Sequence, residues 1–155
     1  MTFNKADFSI LTALQSDADI SMRALAEKLA MSASTLWRRI NELEASGAIR
    51  GRVAVIDPIA VGVEVSAFVY VDMVNHEEED RVAFESFVES TSEIQACFAV
   101  TGAHDYTLLV RTTSVSAFES LLMNRILAHK SVASATSQIA LRELKFSTAL
   151  PLGDA

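Results

Sequence analysis

Between residues 65 and 144 the apolar period of the chain changes from two to about 3.6 and back, twice. "VSAFVYVDMV" (65–74) alternates as a strand. "EEEDRVAFESFVES" (77–90) places Val82, Phe84, Phe87 and Val88 on one helical side. "IQACFAVT" (94–101) and "YTLLVRT" (106–112) are strands around a "GAHD" turn, and "VSAFESLLMNRILAH" (115–129) is a second helix. "VASATSQIALREL" (132–144) is the last strand. The order β-α-β-β-α-β is the ferredoxin-like plan. Such a sheet has two helices on one face and none on the other, so the bare face predicts pairing with another copy.

The first third of the chain has a different pattern. "KADFSILTALQS" (5–16) sets Phe8, Ile10, Leu11 and Leu14 at helical spacing. Ser21 can cap a second helix, "MRALAEKL", with Met22, Leu25, Ala26 and Leu29 on one side. Ser32 can cap a third helix running to about Ser46, with Leu36, Ile40 and Leu43 inward and Gly47 at its end. Two helices joined by about three residues form a helix-turn-helix. Ser32, Ser34, Thr35, Trp37, Arg38 and Arg39 then fall on or beside the open side of the third helix, toward its N-terminal half. In this motif that half enters the major groove, where hydroxyls and guanidinium groups reach phosphates and base edges. A merely solvated basic face, with Trp37 packed on the first helix, is the plain alternative.

Charge separates the two parts. Residues 1–57 hold seven basic and seven acidic side chains, while residues 58–155 hold six and thirteen, which carries the whole formal charge of -7. Phosphates would be repelled by the second part, and only the first is suited to touch DNA. No apolar run approaches the roughly 20 residues needed to span a bilayer. The N-terminus shows no signal-peptide pattern, and Cys97 is the only cysteine, which fits a reducing cytoplasm. "RVAVID", ended by Pro58, is expected to be a linker strand. The expected organisation is α+β: a helix-turn-helix (winged-helix-like) domain at 1–51, a linker strand and hinge at 52–64, and a ferredoxin-like domain at 65–155.

In the second part the "TGAHDY" turn, Thr101 to Tyr106, has the most functional character. A free amino acid presents a carboxylate and an ammonium close together. Gly102 allows backbone to approach a ligand, and Asp105 can accept a charge-assisted bond from an ammonium. The alternative is a hairpin turn in which Asp105 bonds local N–H groups. Tyr106 fits either the core or a pocket wall. His104 beside Asp105 suggests an acid–base pair, but adjacent strand residues point to opposite faces. His76 and His129 are isolated, no metal set or cofactor motif is predicted, and Cys97 fits a small core residue.

Taken in order, "DFSILTALQSDADIS", "LAEKLAMSASTLWRRINELEASGAIRG", "VIDPIAVG", "VTGAHDYTLLV" and "LKFSTALPL" resemble the Lrp/AsnC (feast/famine) family of transcriptional regulators over essentially the whole chain. The resemblance implies a double-stranded DNA operator, a free amino acid as effector, and a homodimer assembling to a tetramer or octamer. It also implies an effector held between dimers, with the 101–106 turn on one side and hydroxyls of Ser134, Thr136 and Ser137 from the last strand. Two departures stand out. Ala30 occupies a turn position where relatives often carry Gly, and a left-handed Ala costs about 1 kcal/mol, which predicts a turn built differently. Relatives also often carry a basic residue near Asp19, and this aspartate argues against phosphate contact by the first loop. Two other functions compete with regulation: an enzyme using His104, Asp105 and Tyr106, and a helix-turn-helix that binds protein only.

Overall fold

The structure, a computed structural model, describes residues 3–152. The chain forms two compact units. One holds the residues up to Val55 together with the segment from Lys145 onward, and the other spans Ile56–Leu144.

The first unit is built on three helices, α1 (Lys5–Ser16), α2 (Met22–Lys28) and α3 (Ala33–Ala45). Each begins where a side chain satisfies an orphan backbone donor. Asn4 Oδ1 accepts from Asp7 N (3.1 Å), and Asp7 Oδ2 accepts in return from Asn4 N (3.0 Å), closing a reciprocal capping box. Ser21 and Ser32 accept from Ala24 N and Thr35 N, as the sequence predicts. After α3, Gly47 sits at φ +76, a conformation that costs glycine little.

Ile10, Ala13, Leu25, Ala26, Leu36, Ile40 and Leu43 form the buried core of this unit. Burying a Leu or Ile contributes roughly 1.5–3 kcal/mol, so three such residues fix which side of α3 faces inward. On α1 the buried positions are Asp7, Ile10 and Ala13, whereas the expected Phe8, Leu11 and Leu14 are half-buried, the two leucines packed against the core.

Two local expectations fail. Ala30 adopts φ 52, so the turn before α3 is left-handed in spite of its Cβ. Segment 52–57 forms no strand, and among its residues Val53 and Val55 are strongly exposed. A strand needs a hydrogen-bonding partner, and none of the described segments of this chain supplies one. The wing position of the first unit is therefore unpaired.

The second unit follows the β-α-β-β-α-β order: β1 (Val65–Met73), α4 (Glu78–Glu89), β2 (Ile94–Ala99), β3 (Tyr106–Thr112), α5 (Val115–Leu121) and β4 (Val132–Ile139). The sheet is antiparallel in the order β2-β3-β1-β4. Ala67, Val69, Val71 and Met73 of β1 point to the helix side, where they meet Phe84, Leu108, Val110, Phe118 and Leu121. Strand alternation sends Phe68, Tyr70 and Asp72 to the other face. Three expected details differ. Val82 of α4 is turned outward. After α5 the helix widens into a π segment, Leu122–Ile126. The last strand stops at Ile139, and the segment from Lys145 groups with the first unit rather than with the second domain expected at 65–155. Gln15 ties this segment in, its amide donating to Leu150 O (3.3 Å) and accepting from Leu150 N (2.6 Å).

Candidate functional site

The two regions singled out by the sequence lie one in each unit. In the first, α3 presents the expected open side. Ser34, Thr35, Trp37 and Arg38 are exposed, and Leu36, Ile40 and Leu43 are buried. Ser32 holds the helix start: its Oγ accepts from Thr35 N, donates to Thr35 Oγ1 (2.8 Å) and lies 3.2 Å from Ser34 Oγ. The three hydroxyls thus form one polar cluster at the N-terminus of α3. That end also carries the positive end of the helix dipole and free N–H groups, which suit a phosphate.

The adjacent arginines part company. Arg38 is exposed and reaches Glu42 one turn on (2.5 Å), a surface pair of small worth that a stronger partner can displace. Arg39 turns toward α1. Its Nη1 donates to Oδ1 of Asp7 at 2.8 Å, and the Asp7 side chain is only 1% exposed. Since Asp7 Oδ2 is taken by the α1 cap, a single buried carboxylate links the start of α1 to the middle of α3. Arg39 was expected on the open face with Arg38. The structure puts its guanidinium on the flank, where it positions α3.

In the second unit the turn between β2 and β3 is closed by Val100 N donating to Asp105 O (2.9 Å). Asp105 is the strut of this turn. Its N donates to Val71 O (3.0 Å), and its Oδ2 accepts from Met73 N (2.7 Å), so both main chain and side chain grip the end of β1. Its Oδ1 faces His76 Nδ1 at 3.7 Å. Gly102 adopts φ +124, which side-chain-bearing residues rarely tolerate, and Thr101 beside it is exposed.

His104 and Asp105 diverge, as adjacent residues do. His104 Nδ1 lies 2.8 Å from Asp72 Oδ1, and its ring packs on Tyr70 (5.4 Å between centroids). Ser134, opposite Asp72 across β1 and β4, donates to Asp72 Oδ2 (2.5 Å). These bonds from Ser134 and then His104 hold the Asp72 carboxyl below the ordinary carboxylate range. Asp72, which is not among the expected effector residues, therefore gathers two of them. The signal was present: an aspartate inside the apolar strand "VYVDMV".

The remaining expected residues separate. Thr136 is opposite Tyr70, on the same bare sheet face as Asp72. Ser137 pairs with Val69 and so belongs to the helix-side face. Tyr106 is a core residue. It is buried against Phe84, its hydroxyl donates to Glu85 Oε1 (3.1 Å), and burial with that neighbour pushes its pKa up to about 12. Burial likewise raises Cys97 to about 11, so the thiol is an inert packing residue. Among the described residues, no group of three or more His, Cys, Asp or Glu could hold a metal ion, and no helix is long and apolar enough to cross a membrane.

Comparison with known proteins fits both units. The family model for the winged helix-turn-helix DNA-binding domain matches residues 3–50, and that for the Lrp/AsnC ligand binding domain matches residues 66–150. The glutamate uptake regulatory protein of Zymomonas mobilis is 33% identical over 146 residues, 94% of this chain and 88% of that protein. The Bkd operon transcriptional regulator of Pseudomonas aeruginosa is 30% identical, covering 96% of this chain and 97% of its own. Among solved structures, a transcriptional regulator of Neisseria meningitidis in complex with L-methionine superposes with a TM-score of 0.90. It is 34% identical, with 97% of each chain covered. A helix-turn-helix unit and a ligand-binding α/β unit, matched in order over nearly the whole length, place this chain in the Lrp/AsnC family of DNA-binding transcriptional regulators.

Proposed function

We propose that this regulator reads a two-fold operator with α3 and senses a free amino acid at the 101–105 turn. The observation that carries the first part is the capped N-terminus of α3, with Ser34, Thr35 and Arg38 exposed around it. Hydroxyls there suit phosphate, and Arg38 suits a guanine edge. Arg39 contributes through Asp7.

The effector half rests on a narrower set. Thr101, Gly102, His104 and Asp105 line the turn, and Ser134 and Thr136 stand on the bare sheet face where Asp72 ties the first of them to His104. Gly102 leaves the backbone open to a carboxylate, and Asp105 Oδ1 is the oxygen available to an α-ammonium. The methionine complex of the Neisseria relative supports an amino acid in this class of site. Regulation is favoured over catalysis. His104 turns to Asp72, Asp105 bonds the end of β1 and Tyr106 is buried against Phe84, so the three side chains do not converge on one point for acid–base work. The relatives are named as transcriptional regulators, and DNA as the target implies the cytoplasm.

The assembly belongs to the same proposal. Phe68 and Phe98 are exposed on the helix-free sheet face, and Val53 and Val55 are exposed on an unpaired extended segment. A second copy would cover the first pair and pair with the second segment, giving a dimer from which tetramers or octamers are built.

A thermal-shift screen of the twenty amino acids, repeated on Asp105→Asn, tests the effector half. A selective ligand raises the midpoint through mass action. Loss of one charge-assisted bond lowers its affinity roughly ten- to a hundredfold. Equal shifts in both proteins would remove Asp105 from the ammonium site.

A further inference from the structure

Trp37 is the one tryptophan of the chain, and it is 60% exposed. Its place on α3 is well defined. A helix advances about 100° per residue, so Trp37 stands beside the buried Leu36 and away from the flank that holds Arg39. Ser34 precedes it by one turn, Asn41 follows it by one turn, and Arg38 is next to it. Among the described residues the indole has no aromatic or cationic ring partner and no hydrogen bond. Indole is a large apolar surface, and leaving most of it in water forgoes stabilisation that burial would give. The residue is also no part of the fold's support, since Leu36, Ile40 and Leu43 hold the helix without it.

We infer that Trp37 sets operator specificity by packing its indole on the C5-methyl group of a thymine in the major groove. This rests on α3 entering that groove. The groove presents one protruding apolar group, the thymine methyl, and an apolar side chain reads it by contact alone. The neighbouring polar side chains do different work: Arg38 offers paired donors, and Ser34 an hydroxyl. Trp37 is the single large apolar side chain on the open side of the N-terminal half of α3. Two-fold assembly would repeat the contact, so one thymine is expected at a matching place in each half-site.

The test uses the full-length protein. An operator is first selected from random duplex DNA, and each thymine is then replaced singly by deoxyuridine, which lacks only the methyl group. At one symmetry-related pair of positions, affinity is expected to fall about fourfold per methyl removed, the worth of one buried apolar carbon. Trp37→Ala should bind the operator more weakly and show no sensitivity to deoxyuridine at that pair. Trp37→Phe should retain part of it. Unaltered circular dichroism and sedimentation of Trp37→Ala would show that fold and assembly are intact.

Four outcomes overturn the assignment. Wild type insensitive to deoxyuridine at every thymine removes the methyl contact and leaves α3 as the reading helix. Trp37→Ala that weakens all sequences equally, with the methyl dependence kept, makes the indole a backbone contact. A changed sedimentation coefficient in Trp37→Ala assigns the indole to a contact between copies. If wild type selects no operator at all, the DNA-reading role of α3 falls first and this inference with it.

Discussion

Arg38 and Arg39 are neighbours in sequence and unlike in surroundings. Removing Arg39 leaves the buried Asp7 carboxylate with its cap bond from Asn4 N but no charge partner, and a buried charge that loses its partner is costly. Arg39→Ala should lower unfolding free energy by about 3 kcal/mol, whereas Arg38→Ala should stay within about 0.5 kcal/mol of wild type. Operator binding should order them differently. Arg38→Ala loses roughly 1–3 kcal/mol and changes base preference, which Arg39→Ala does not. Urea denaturation and operator titration on the two proteins give both numbers. Equal stability of the two variants would mean that the Asp7 bond contributes nothing.

Asp72 yields a second residue-scale prediction, on pH. Its carboxyl is held low in the folded state by Ser134 and His104. A depressed carboxyl stabilises the fold above its unfolded pKa, about 3.9, and the contribution is lost as pH falls through the lower folded value. Asp72→Asn should therefore be less stable than wild type at pH 6. The gap should close as pH drops below about 4. A gap constant from pH 6 to pH 2 would mean that the Asp72 charge is not what the network uses.

At the scale of elements, the turn before α3 is where local preference and fold disagree. Ala30 accepts φ 52 because Met31 N reaches Ala26 O (2.9 Å) and the caps and cores of both flanking helices fix the path between them. Ala30→Gly should then stabilise the protein by about 0.5–1 kcal/mol, strain relief exceeding the entropy that glycine adds to the unfolded chain. A destabilised Ala30→Gly, measured by urea denaturation, would contradict the strain. Such conflicts also mark how far the elements could be read from sequence. Three helices, the caps of the second and third, and β3 with its boundaries followed from apolar period, Ser21, Ser32 and Gly47, because those signals are local. Partnership is not local. The 52–57 segment has strand spacing but no partner among the described residues, and Arg39 has helical spacing but a partner 32 residues away. Asp72 was passed over because its role depends on β4 being paired beside β1. The cap pair Asn4 and Asp7 was not among the expected caps, and its link to Arg39 depends on the packing of two helices against each other.

For the molecule as a whole, charge and apolar surface have been sorted into different places. The acidic excess lies in the ligand-binding part, which keeps phosphate away from it, and the first 57 residues are neutral overall, so DNA contact depends on a few placed groups. Few contacts per copy mean modest affinity per half-site, and two-fold assembly is what raises it. The helix-free face of the sheet is where that assembly is expected, since Phe68 and Phe98 face solvent there on β1 and β2. Placing charge on that face by Phe68→Asp should leave the fold intact, because the core lies on the opposite side of the sheet. It should separate the copies. Wild type is expected to sediment as at least a dimer at micromolar concentration, and the variant as a monomer. Linking two half-site contacts multiplies affinity by roughly a hundredfold or more, so the monomer should lose that factor on the full operator. On a single half-site the two proteins should bind alike. A variant that stays dimeric, or a monomer that keeps full operator affinity, would separate DNA reading from this face of the sheet.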